Sequence, residues 1–156
     1  MSIAATVQTC LSQAGVHYDI IEHPRTSNSA RTAEAAHVSG EWLAKSVVIE
    51  DGERYLMAVV PATDHVDLGA LHRRLGRAIG LATEEEVAKV FADCEPGAVP
   101  PFGQVYGIET ILDEAFVDAE EVYFEGGDHR ALVHVNGSDF LKLMHDVPRA
   151  RIGLRH

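Results

Sequence analysis

Apolar positions along this chain recur with two different periods, and the changes of period mark out its elements. Ile3, Val7, Leu11 and Ala14 stand at helical spacing, and Gly15 follows where a helix closes in a left-handed residue. The run HYDIIEHP predicts a short strand stopped by Pro24, because proline lacks the donor a ladder needs. A loop rich in Ser, Asn and Thr leads to a second short helix over Thr32–Val38, favoured by Glu34 and Ala35. KSVVIE and ERYLMAVVP then flank Asp51-Gly52, which predicts a hairpin with a two-residue turn and positive φ at both turn positions. Leu68, Leu71 and Leu75 form one stripe of a helix over Asp67–Leu75, with Gly76 ending it. Thr83 and Glu86 make a capping box, so a further helix runs through Val87 and Val90 to Phe91.

Beyond Phe91 the pattern changes character. CEPGAVPPFG resists both helix and ladder and predicts a shaped loop. EVYFEGG and RALVHV read as paired strands, and Ser138 is expected to cap a closing helix through Phe140, Leu141 and Leu143. Strands and helices alternate without regular βαβ spacing. The expected class is therefore α+β, a mixed, barrel-like sheet with flanking helices, formed by one domain over residues 1–156.

Composition narrows the setting. Apolar residues make up 46% and charged residues 24% of the chain, the balance of an ordinary globular domain. No stretch approaches the roughly 18 apolar residues that span a bilayer, and MSIAATVQTC lacks the basic and apolar regions of a signal peptide. A cytoplasmic location is expected, with no membrane partner. Cys10 and Cys94 form no C-x-x-C pair and read as two ordinary thiols. The net charge of -11 argues against a generic nucleic-acid binder and against DNA as a partner. Any contact with nucleic acid must be local; Arg73, Arg74 and Arg77 form one basic cluster, and Arg149, Arg151 and Arg155 another.

Nine histidines invite a metal centre, but their spacing does not make one. H-E-x-x-H is absent, His129 and His134 are expected on opposite faces of a strand, and His65 and His72 straddle a helix start. A G-x-S-x-G elbow is missing, and Gly126-Gly127 is too little for a dinucleotide site. No metal and no cofactor are expected. Glu84, Glu85 and Glu86 are accounted for by the helix dipole.

Three segments remain as candidates for chemistry. Lys45 stands at a strand mouth after Trp42-Leu43-Ala44, a position that also suits a solvated strand end. Gly97-Ala98-Val99-Pro100-Pro101 offers a G-x-x-x-P loop whose backbone N–H groups could receive an oxyanion or a carbonyl, although a Pro/Gly loop can equally be only a loop. Gly126-Gly127-Asp128-His129 lets backbone approach a ligand closely, or simply makes a hairpin turn.

Taken in order, AKSVVI at Lys45, YLMAVVPA, GAVPPFG at Gly97–Pro101 and GGDH at Gly126–His129 resemble the YbaK-like editing domain, found free-standing and inserted in bacterial prolyl-tRNA synthetases. The resemblance spans Glu22 to Met144. It implies a barrel-like mixed fold and hydrolysis of a wrong amino acid from a tRNA 3′ end, without metal or protein nucleophile. It also implies catalytic roles for Lys45 and Gly97. Substrate contacts are implied at Ala98, Val99, Pro100, Pro101, Gly126, Gly127 and His129, the histidine being present in only some relatives. The expected partners are an aminoacyl-tRNA acceptor end, probed first with tRNA(Pro)-type substrates carrying a small amino acid, and a synthetase. Two other readings stay open: a non-catalytic module that binds tRNA or a small ligand on the same fold, and a hydrolase of another acyl ester.

Overall fold

A computed structural model describes residues 3–26, 28–95 and 97–155. In chain order, the first helix is α1 (Ala5–Ala14), followed by β1 (Asp19–Glu22) and α2 (Ser29–Ala35). The hairpin β2 (Leu43–Glu50) and β3 (Tyr55–Pro61) leads to β4 (Asp64–Val66), α3 (Leu68–Leu75), β5 (Gly80–Leu81) and α4 (Glu84–Val90). After the Pro/Gly loop come β6 (Glu109–Asp113), β7 (Glu121–Glu125), β8 (Ala131–Asn136), α5 (Gly137–Leu143), β9 (Arg149–Ala150) and β10 (Gly153–Arg155). Seven strands lie in the order β1-β8-β7-β2-β3-β6-β9, with β5 added to the far end of β2. The β2–β7, β3–β6 and β6–β9 pairs are parallel and the others antiparallel, so the sheet is mixed, as expected.

Alternation along the strands sorts two apolar layers. Ala44, Val48, Met57, Val59, Phe124 and Val133 face a large cluster that includes Leu11 of α1 and Phe140 and Leu143 of α5. The opposite face carries Ile49, Leu56, Ala58 and Val60 under α3, and Leu43, Ala62 and Leu132 under α2. Phe102, Phe116, Phe124 and Phe140 are fully buried. Each such ring contributes roughly 1.5–3 kcal/mol of transfer free energy. Among the described residues, no helix is long and apolar enough to cross a membrane.

Several local expectations hold. Gly15 and Gly76 close α1 and α3 with φ of 66° and 71°, and the Thr83–Glu86 capping box is complete. Others shift. The β2–β3 register pairs Glu50 with Tyr55, and Asp51 N–H donates to Arg54 O. The tip is therefore Gly52-Glu53 rather than Asp51-Gly52, with positive φ at Gly52 alone. The Asp51 carboxylate accepts from the Glu53 and Arg54 amides, and that makes it a turn anchor instead of a turn centre. Helix α2 begins and ends three residues earlier than the pattern predicts, because the Asn28 side chain accepts from Arg31 N–H and starts it. Asn136, not Ser138, caps α5, since its Oδ1 accepts from Asp139 N–H. His129 sits in the turn before β8 rather than on the strand with His134. Pro96 of the Pro/Gly loop lies outside the described residues.

Candidate functional site

Lys45 is carried by β2 opposite Val60 of β3, on the face between the two smaller apolar clusters. It is half-buried, and its Nζ donates to the Asp64 carbonyl at the start of β4. Burial lowers the Lys45 pKa, partly opposed by the Asp64 charge. Strand β7 runs parallel beside it, with Leu43 against Tyr123 and Ala44 against Phe124. The next residues on the two strands are Lys45 and Glu125, and period two puts both on the face of Leu43 and Tyr123.

Beyond Glu125 the chain turns through residues 126–130. Asp128 Oδ1 accepts from the Arg130 and Ala131 amides at 2.9 and 3.0 Å, so the turn is closed from within. His129 occupies it at φ 61°, a left-handed conformation uncommon for a non-glycine residue, and is 6% exposed. Its ring lies against Gly97: a Cβ on that glycine would stand 3.1 Å from His129 Cε1 and 3.4 Å from Nε2. Gly97 itself has φ 86°, where a side chain is strained even without the ring. Thus the structure brings the G-x-x-x-P loop and His129 together.

Within that loop only Gly97 is exposed; Ala98, Val99, Pro100 and Pro101 are buried, and Val99 belongs to the large core cluster. Ala98 N–H donates to Glu95 O at 3.0 Å. Glu95 also pairs with Arg25, whose guanidinium holds its carboxyl below the usual range. Gly126 and Gly127 are buried too. Gly126 O accepts from Ala4 N–H at 2.8 Å, and a Cβ there would meet Ile3 Cγ2 at 2.5 Å. Gly127 O accepts from Glu95 N–H at 2.7 Å. These glycines let the lead into α1 and the loop before Gly97 pass over the turn.

Glu125 was not singled out by the sequence, yet it is the most perturbed carboxyl of the region. It is 5% exposed, with His129 Nδ1 at 3.7 Å from Oε2 and His23 Nε2 at 3.9 Å from Oε1. Burial, reinforced by the Asp128 and Glu95 charges, pushes its pKa up to about 8. Cys94, by contrast, is pushed up to about 12, chiefly by burial, which makes it a poor thiolate nucleophile. Among the described residues, no group of three or more His, Cys, Asp or Glu side chains is arranged to hold a metal ion.

Two clefts border these groups. One of about 580 Å³ is lined by Trp42, Asp64, Asp113, Asp118, Arg151 and Arg155, adjoining the carbonyl that holds Lys45. Another, of about 930 Å³, is lined by Arg25, Arg31, Glu34 and His37 and adjoins the Arg25–Glu95 pair. In the two basic clusters of the sequence, Arg77 is paired with Asp51 at 2.6 Å and Arg155 with Glu41.

Comparison with known proteins bears on the family and the fold. A candidate trans-editing enzyme for prolyl-tRNA synthetase superposes with a TM-score of 0.82 at 28% identity, over 98% of this chain and 99% of that one. A structure from work on computational grafting of linear epitopes onto scaffold proteins matches with a TM-score of 0.82 at 26% identity, over 97% of both chains. A candidate signal transduction protein from Marinobacter aquaeolei VT8 shares the fold at 21% identity and a TM-score of 0.77; the match covers 98% of this chain and 31% of that longer one. No curated protein sequence matches. The family model for the aminoacyl-tRNA editing domain matches residues 23–143, and the chain belongs to that family.

Proposed function

We propose that this chain is a trans-editing deacylase that hydrolyses a wrong, small amino acid from the 3′ end of a tRNA, with tRNA(Pro)-type substrates the first candidates. The observation that carries the reading is the packing of Gly97 on His129 beside Lys45's sheet face, in a chain of the editing family. An aminoacyl ester is already activated, so the site must chiefly position it and stabilise tetrahedral charge. Water attacks the carbonyl carbon and leaves the negative charge on its oxygen. Water or the ribose hydroxyl next to the ester manages the proton, and collapse of the adduct breaks the C–O bond to ribose, releasing the amino acid and the tRNA 3′ hydroxyl. Ala98 N–H is occupied by Glu95 O, so the amides of Gly97 and Val99 are the donors assigned to the oxyanion. The Lys45 ammonium, which donates to the Asp64 carbonyl when no substrate is bound, is assigned the positive charge that the oxyanion needs. Such donors contribute a few kcal/mol each toward the developing charge. No metal or cofactor has a part in this scheme.

His129 serves as a wall that sets the size of side chain admitted, while Pro100 and Pro101 stiffen the loop that opposes it. One methylene in such a pocket is worth only ~1–3 kcal/mol, which suits an editor of small, similar amino acids. The acidic net charge confines tRNA contact to the acceptor end. The cleft with Arg25 and Arg31 adjoins the Arg25–Glu95 pair and is assigned to the terminal phosphates, a synthetase delivering the rest. The enzyme is placed in the cytoplasm, where aminoacyl-tRNA is made. The test is a deacylation panel of mischarged tRNAs with the purified chain. Release of alanine, serine or cysteine from tRNA(Pro) is expected. Failure on every ester would favour a non-catalytic module instead.

A further inference from the structure

We propose that Glu125 is the positioning residue of this site: its buried carboxyl bridges His23 and His129 and thereby fixes the His129 ring against Gly97. The inference rests on the editing reading for its consequence, but its geometry stands by itself. His23 Nδ1 lies 2.8 Å from Pro24 O, a carbonyl that can only accept. The His23 proton is therefore on Nδ1, and in the neutral ring Nε2 is an acceptor. That acceptor faces Glu125 Oε1 at 3.9 Å, while Oε2 faces His129 Nδ1 at 3.7 Å. At these distances neither carboxyl oxygen is hydrogen-bonded to a ring or to any other of the described residues, and both are sealed from solvent. A side-chain rotation of about 1 Å brings a protonated carboxyl into hydrogen-bond range of His23. Its second oxygen then anchors the other ring.

A buried, unsatisfied carboxyl costs stability unless it does something in return, which makes an accidental glutamate here a poor explanation. The surroundings favour its neutral form. Asp128 in the turn and Glu95 in the loop before Gly97 are like charges. Arg25 is engaged by Glu95 and by Asp128 O, Arg130 is exposed, and Lys45 on the adjoining strand is turned to Asp64 O. Among the described residues, His23 and His129 are the groups left to interact with Glu125 directly. Loss of the Glu125 proton replaces a bridge with a buried anion between two rings, so the His129 wall changes its setting with pH.

The test follows the Glu125 side-chain carboxyl by 13C NMR and the His23 and His129 ring nitrogens by 15N NMR through a pH series. In wild type, the carboxyl and both rings should share one inflection well above the ordinary carboxylate range. Glu125→Gln should remove that inflection from both rings and alter the ratio of alanyl- to seryl-ester hydrolysis. Rings that ignore the Glu125 titration in wild type would overturn the bridge, with no variant needed. An unchanged ester ratio in a folded Glu125→Gln protein would overturn the positioning role. Should wild type hydrolyse no ester at all, the editing reading fails while the NMR arm still decides the bridge.

Discussion

Replacing Glu125 by Gln should reverse its effect on stability across the neutral range. The wild-type carboxyl has a folded pKa of about 8 against an ordinary value of 4.5. Between those values the folded state holds a proton that the unfolded state has released. Stability is therefore fully present below the unfolded value and declines as pH rises through the folded one. One proton corresponds to about 1.4 kcal/mol per pH unit, and the whole window sets a ceiling of about 5 kcal/mol. Glutamine keeps the volume and never ionises, so groups elsewhere cancel when the variant is compared with wild type. Urea denaturation of both proteins at a series of pH values gives the difference directly. Wild-type stability minus variant stability should fall steadily as pH rises toward 8 and flatten above it. Parallel curves across neutral pH would show that Glu125 is ionised in the folded protein, and the buried neutral carboxyl would have to be given up.

Four further outcomes follow from the site. Lys45→Ala should abolish or severely cut deacylation while costing only about 1 kcal/mol, the worth of the hydrogen bond to Asp64 O, and steady-state kinetics beside a thermal melt measures both. In Gly97→Ala the new Cβ meets the His129 ring at a strained φ, so turnover should fall by a larger factor than stability, and equal losses would mean that the loop is only structural. His129→Ala should retain measurable activity and shift preference among alanyl, seryl and cysteinyl esters; inactivity toward all of them in a folded protein would assign the ring a proton-transfer role. Activity should persist in excess chelator, and loss with EDTA followed by recovery with zinc would overturn the metal-free scheme.

The sequence was most legible where one residue type answers one physical demand. Gly15 and Gly76 were readable as helix ends because each must take a left-handed conformation, and Thr83 with Glu86 because each satisfies the other's backbone. Prediction slipped where two neighbours could serve the same purpose. Asp51-Gly52 matches a favoured hairpin pair, yet Asp51 gains more by accepting two amides from outside the tip. Asn136 and Ser138 both cap helices, and Asn136 takes the place because Ser138 Oγ donates to its side chain as well. Strand β6 was not legible at all: its five residues carry a weak alternation, and their partner β3 lies some fifty residues earlier. Parallel pairing of that reach leaves no local signature.

The same division runs through the site. Lys45, the Gly97–Pro101 loop and His129 stand out only as a set, through the order that resembles the editing domain, since each alone also suits an ordinary strand end, loop or turn. Glu125 does not, since in EVYFEGG an acidic residue before two glycines reads as the polar end of a strand. What makes it notable arrives from two distant segments and from the turn that follows it. His23 comes from the segment after β1, fixed by its N–H to Arg130 O at 2.8 Å. Glu95 comes with the Pro/Gly loop, and Asp128 from the turn. Burial then does the rest, because a carboxyl sealed under His129 has no water to hold its charge. A perturbed group of this kind is a property of the packed fold, and sequence patterning reaches only its carriers: the strand, the turn and the loop that close over it.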